Sequence, residues 1–71
     1  MFGVSEAFVK SRKSHFVPGT RVKLTCMDDP HAPPIGTLGT VMHVDDIGTI
    51  HVKWDNGSTL GVTDMDSCCV A

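Results

Sequence analysis

The chain has no tyrosine, a single tryptophan and three phenylalanines among its 71 residues. That scarcity excludes the interleaved aromatic platforms on which single-stranded nucleic acids stack. An excess of positive charge is lacking too: six basic side chains stand against eight acidic ones, for a net charge of -2. Binding to duplex DNA calls for a basic footprint, and the chain as a whole has none. No hydrophobic run is long enough to span a bilayer, and no basic-then-apolar secretory leader opens the chain. The expected setting is therefore the cytoplasm, with no membrane partner. The length leaves no room for a second large domain, and a chain this short gains from a staple or a partner. The three cysteines, Cys26, Cys68 and Cys69, are an odd number. Cys68 and Cys69 are neighbours whose side chains point to opposite faces of a strand. Reduced thiols are expected, one of that pair buried and the other exposed, with Cys26 inward on its own strand.

What is present is a globular composition, 41% hydrophobic with seven glycines and four prolines. Its charge is unevenly divided. Residues 1–17 hold Lys10, Arg12 and Lys13 against Glu6, a net +2, which leaves the remaining body at -4. Within this leader Ser5 has helix-capping chemistry, and a helix to about Lys13 would put Val4, Ala7 and Phe8 on one face. A helix of under three turns is marginal alone, so the leader is expected as a short helix or a flexible segment. Its apolar residues Phe2, Val4, Phe8 and Val9 suit packing on the body or on a second copy.

From Thr20 onward the period changes to two. Val22, Leu24 and Cys26 alternate with Arg21, Lys23 and Thr25, which predicts a strand with one dry and one wet face. Strands are likewise predicted over 36–44, 49–54, 59–62 and 67–70. In the third, Ile50, Val52 and Trp54 face inward while Thr49, His51 and Lys53 face water. The prolines at 30, 33 and 34 place 28–34 in a loop, Gly48 ends a hairpin connection, and Asn56-Gly57 marks another. Five short strands with tight turns predict an all-β fold closed into a small barrel over residues 18–71, which leaves no bare edge.

Several runs in this body are distinctive in combination: Gly19-Thr20-Arg21-Val22, Met27-Asp28-Asp29-Pro30, Ala32-Pro33-Pro34-Ile35-Gly36, Gly39-Thr40-Val41, Val44-Asp45-Asp46-Ile47-Gly48 and Val52-Lys53-Trp54-Asp55-Asn56-Gly57-Ser58. In these runs, between Pro18 and Asp66, the chain resembles a bacterial family known as domain of unknown function 4314 (DUF4314). The resemblance implies an SH3-like barrel, which agrees with the five strands read from the pattern behind a short N-terminal leader. It implies no activity and names no catalytic or ligand residues.

The groups capable of chemistry are acidic side chains, histidines and thiols. Asp28, Asp29 and His31 lie close in sequence, Asp45-Asp46 sits in a separate turn, and Asp64, Asp66 and Cys68 make a third group. None has a metal-ligand spacing, and aspartate at a strand end is turn chemistry. His43 and His51 fall on adjacent strands where they face each other, a pair of imidazoles suited to a metal or a proton. A barrel this small is filled by its own side chains, so no catalytic residue, cofactor or metal is expected and the chain is not expected to be an enzyme.

Binding remains. The first expectation is an uncharacterised interaction module that takes a protein through a rim of loops: Asp28, Asp29, His31, Pro33, Pro34, Asp45, Asp46, Trp54, Asp55 and Asn56. The alternative is a weak, salt-sensitive nucleic-acid contact through Lys10, Arg12 and Lys13 on the leader and Arg21, Lys23, His51 and Lys53 on the sheet, disfavoured by the acidic body. The third is a structural role by self-association.

Overall fold

The computed structural model describes residues 5–71. Phe2 and Val4, expected on the apolar face of the leader, lie outside the described residues. One helix precedes four strands: α1 (Glu6–His15), β1 (Arg21–Cys26), β2 (Leu38–Val44), β3 (Ile50–Trp54) and β4 (Ser67–Val70). The strands form one antiparallel sheet in the order β3-β2-β1-β4. No helix among the described residues is long and apolar enough to cross a membrane.

α1 begins where Ser5 predicts it. The Ser5 hydroxyl accepts the Phe8 N–H at 3.1 Å, Glu6 occupies the first turn, and Arg12, Lys13 and His15 occupy the last, all favourable to the helix dipole. The helix runs two residues beyond Lys13 and ends at Phe16, whose ring enters the core.

The core is the inner face of the sheet. Val22, Leu24, Val41, Ile50, Val52 and Trp54 are buried with Phe16 and Val62, and among the described residues no charged or polar one is buried with them. The period-two reading of β1 and β3 holds for every one of their inward residues except Cys26, which is exposed. The register between β1 and β4 shifts between Leu24 and Cys26, where Cys68 and Ser67 are their partners. That bulge turns the last residue of β1 off the inner face. Cys68 is half-buried against the core and Cys69 exposed, and all three thiols are free.

Where the sequence predicts a fifth strand over 59–62, the structure has a single bridge. Trp54 N–H donates to Ser58 at 2.9 Å, and Ile50 and Val62 exchange both backbone bonds at 2.8 Å, so both ends of the hairpin are in register. Its middle is not. The Leu60 carbonyl accepts the Trp54 indole N–H at 2.9 Å, and the Leu60 N–H turns to the Ser58 hydroxyl. Satisfying the buried indole therefore draws the return segment out of the ladder. The result is a mostly β fold of four strands in an open sheet, not the expected five in a closed barrel.

Candidate functional site

In an antiparallel meander, successive connections fall at alternate ends of the sheet. The 28–36 loop and the 55–58 turn lie at one end, and the 45–49 turn lies at the other. β2 is seven residues long, about 20 Å between them. The three segments therefore do not share the single rim that the sequence suggested.

The end carrying 45–49 is closed by the helix. Arg12 reaches under the turn. The two hydrogens of its Nη1 are shared among the carbonyls of Gly48, Val62 and Thr63 at 2.9, 3.0 and 2.9 Å, and its Nη2 donates to the main-chain carbonyl of Asp66 at 3.0 Å. The guanidinium also lies over the Phe8 ring, 4.6 Å from its centroid. Phe8 and Val9 are partly buried against Gly48, which has φ +84°. Lys13 pairs with Asp46 at 3.0 Å. Two of the three leader cations, Arg12 and Lys13, thus have partners within the molecule. Lys10 alone is exposed with no ion pair among the described residues.

Asp45 is likewise occupied. Oδ1 accepts the N–H groups of Ile47 and Thr49 at 3.1 and 2.9 Å, and Oδ2 meets His51 Nε2 at 2.8 Å. The His51 bond, helped by the two backbone donors, holds this carboxyl below its ordinary value. An ionised carboxylate only accepts, so Nε2 of His51 carries the proton. His43 faces His51 in register, as expected, with ring centroids 4.4 Å apart and planes 11° from parallel. The lone pairs of stacked rings lie side by side and do not converge on one point. Among the described residues no group of three or more His, Cys, Asp or Glu side chains is placed to hold a metal ion. Asp66 caps the N–H and hydroxyl of Thr63, and burial lifts the Cys68 thiol to about 11, far from a thiolate at neutral pH.

The opposite end is open. Asp28 and Asp29 are exposed, and Asp29 accepts the His31 N–H at 2.7 Å in an Asx turn. Pro34 and Ile35 are exposed, whereas Pro33 is buried beneath them and leaves the rim. Trp54 leaves it too: it is 1% exposed and belongs to the core, because its indole N–H already has a backbone acceptor. Asp55 and Asn56 form the neighbouring tip, tied to the start of β2 by the Asp55 N–H bond to the Leu38 carbonyl at 2.9 Å. The apolar side chains here are Ile35, at 61% exposure and within the distinctive run Ala32-Pro33-Pro34-Ile35-Gly36, and Leu38, at 40% and in no such run. Their signal was the position of Ile35 directly after two loop prolines.

The outer face of the sheet carries the remaining cations. Arg21 holds both Asp55 oxygens, at 2.9 and 2.6 Å, and the Thr40 hydroxyl at 2.9 Å. This pairing lowers the Asp55 carboxyl and raises the guanidinium. Lys23 and Lys53 are exposed without an ion pair among the described residues. Of the seven residues expected to contact nucleic acid, Arg12, Lys13, Arg21 and His51 have carbonyl or carboxylate partners.

No curated protein and no solved structure matches this chain. One family does, and its match covers residues 5–70, so it takes in α1 and all of the sheet and not only the body from Pro18 to Asp66. The chain belongs to the family described as Domain of unknown function (DUF4314).

Proposed function

We propose that this chain is a non-enzymatic interaction module that binds a protein partner at the open end of its sheet. The observation that carries the reading is the exposed pair Ile35 and Leu38 beside the acidic tips at Asp28-Asp29 and Asp55. An apolar centre with a charged surround is the anatomy of a small protein interface. Arg21 already pairs with Asp55, and among the described residues Asp28 and Asp29 have no ion pair, which suits a basic partner segment with one large apolar side chain. Chemistry is disfavoured by a core made of apolar side chains alone. Nucleic-acid binding is the second reading and rests on Lys23 and Lys53. Self-association through the leader loses support from Phe8 and Val9, which pack on the chain's own turn.

The finer fold belongs to the same proposal. Counting the Val62 bridge, the order across the sheet is Val62, β3, β2, β1, β4. Only residues 63–66 join the first margin to the last. A flat sheet would set them about 19 Å apart, more than five extended residue steps of about 3.4 Å cover. The sheet must therefore roll, in keeping with an SH3-like barrel left open at one seam.

Affinity capture from cell lysate tests the function, with and without nuclease, using the natural chain and Ile35→Glu. A protein that survives nuclease and is lost with Ile35→Glu is the expected result. Partners that vanish with nuclease, or that Ile35→Glu retains, overturn the reading.

A further inference from the structure

The two margins of the sheet are treated differently. β3 is covered by the Val62 bridge, while among the described residues no strand lies beside the outer side of β4. Natural sheets blunt such an edge with charge, proline or a bulge. Ser67-Cys68-Cys69-Val70-Ala71 holds no charged side chain and no proline, and its one irregularity lies at the Ser67 end.

The register shows which backbone groups are free. Ala71 N–H donates to Arg21 directly opposite it at 2.9 Å, so Arg21 and Ala71 are a hydrogen-bonded pair. By alternation Lys23 and Cys69 are the next such pair, and the N–H and C=O groups of Cys68 and Val70 turn outward. Among the described residues no hydrogen bond reaches them.

We propose that this edge pairs with the β4 edge of a second copy, antiparallel about a twofold axis through Cys69. In that register Cys68 of each copy exchanges backbone bonds with Val70 of the other, which satisfies all the outward groups reciprocally. Three observations favour a second copy over a foreign strand. No side chain of the segment is charged, so symmetric pairing sets no like-charged side chains together. Val70, on the core side of β4 yet 48% exposed, comes to lie against the second copy's half-buried Cys68. On the outer face Cys69 meets Cys69 at a non-hydrogen-bonded position, where the short cross-strand distance makes the contact close. This surface is separate from the loop end, and neither reading depends on the other.

Cys69 supplies the test. At such a position the Cα atoms are about 4.5 Å apart, within the range of about 4.4–6.8 Å that a disulfide spans. Oxidised glutathione is the oxidant: two Cys69 thiols give up two protons and two electrons to form one disulfide, and the glutathione disulfide is reduced to two thiols. The full chain with Cys69 as its sole cysteine (Cys26→Ser, Cys68→Ala) is compared with the one keeping only Cys26 (Cys68→Ala, Cys69→Ser), since both thiols are exposed. Pairing raises the local thiol concentration, so the Cys69 chain should form covalent dimer about tenfold faster or more. Val70→Pro in that background removes an outward N–H without touching the ladder to β1, and should bring the rate down to that of the Cys26 chain. A second readout uses no disulfide. Sedimentation of the reduced natural chain should show mass rising above 7.6 kDa with concentration, and Cys69→Lys, which sets two like charges at the twofold, should abolish the rise. Equal trapping rates, or a natural chain that stays monomeric at every concentration, overturn the proposal.

Discussion

The two ends of the sheet are built from the same residues and do opposite things. Each has an Asp-Asp pair in a connection, and each has a turn glycine with positive φ, Gly48 at one end and Gly57 at the other. At the helix end Asp45 is bound to two backbone N–H groups and His51, Asp46 to Lys13, and Gly48 lies under Phe8. At the open end Asp28 and Asp29 are exposed, and a side chain at Gly57 would meet nothing within 4 Å. The difference is the helix. A turn covered by a packed neighbour spends its polar groups on its own chain, and an uncovered one keeps them for something else.

The comparison is most directly broken at Arg12. Arg12→Ala removes four charge-assisted bonds to main-chain carbonyls and should destabilise by about 3 kcal/mol in a denaturant melt, with little recovery in Arg12→Lys, whose ammonium lacks the planar fork. A loss below about 0.5 kcal/mol, the size of an ordinary surface substitution, would mean that the helix does not hold that end. Next come the glycines. Gly57→Ala faces only left-handed strain, about 1 kcal/mol, whereas at Gly48 the added carbon would also lie 2.7 Å from the Phe8 ring. Gly48→Ala should therefore cost about 2–3 kcal/mol, and equal melts for the two variants would remove the asymmetry.

Acid sharpens the same contrast with a smaller effect. The folded-state value of Asp45 is depressed, so its stabilisation is present above the unfolded value near 3.9 and is lost as pH falls through the folded value below it. Asp45→Asn should be less stable than the natural chain at pH 7 by about 1 kcal/mol, with the gap narrowing in strong acid. A gap that stays constant with pH would show that the carboxylate charge contributes nothing. The smallest expected effect is at the open end. The double substitution Asp28→Asn and Asp29→Asn should leave the melt within about 0.5 kcal/mol while weakening capture of the protein partner. Loss of stability with intact capture would reverse the roles given to the two ends.

Much of this architecture was legible in advance. Alternation in Val22-Lys23-Leu24 and Ile50-His51-Val52-Lys53-Trp54 marks strands because a half-buried sheet has no other period. Ser5 marks the helix start and Asn56-Gly57 the turn for equally local reasons. What escaped depends on partners that carry no residue-type signal. Arg12 binds four backbone carbonyls, and any residue supplies a carbonyl. The fifth strand was lost to one side chain: the indole of Trp54 has to be satisfied, and nothing in 59–62 announces that Leu60 provides its acceptor. The bulge that exposes Cys26 arises from the register with β4 and not from β1 itself. The supposed common rim is a different matter. Strand alternation alone was enough to put Asp45-Asp46 at the far end from Asp28-Asp29, and that inference was open to the sequence.

The four carbonyls bound by Arg12 also set an order in time. They lie 36, 50, 51 and 54 residues further along the chain. A ten-residue helix is marginal by itself, so α1 has little to hold it until Gly48, Val62, Thr63 and Asp66 have been brought together. The segment synthesised early is completed by segments made late. The meander of β1, β2 and β3 can form through nearby pairings, whereas the helix closes loops of 36 to 54 residues, so its docking is expected after the meander.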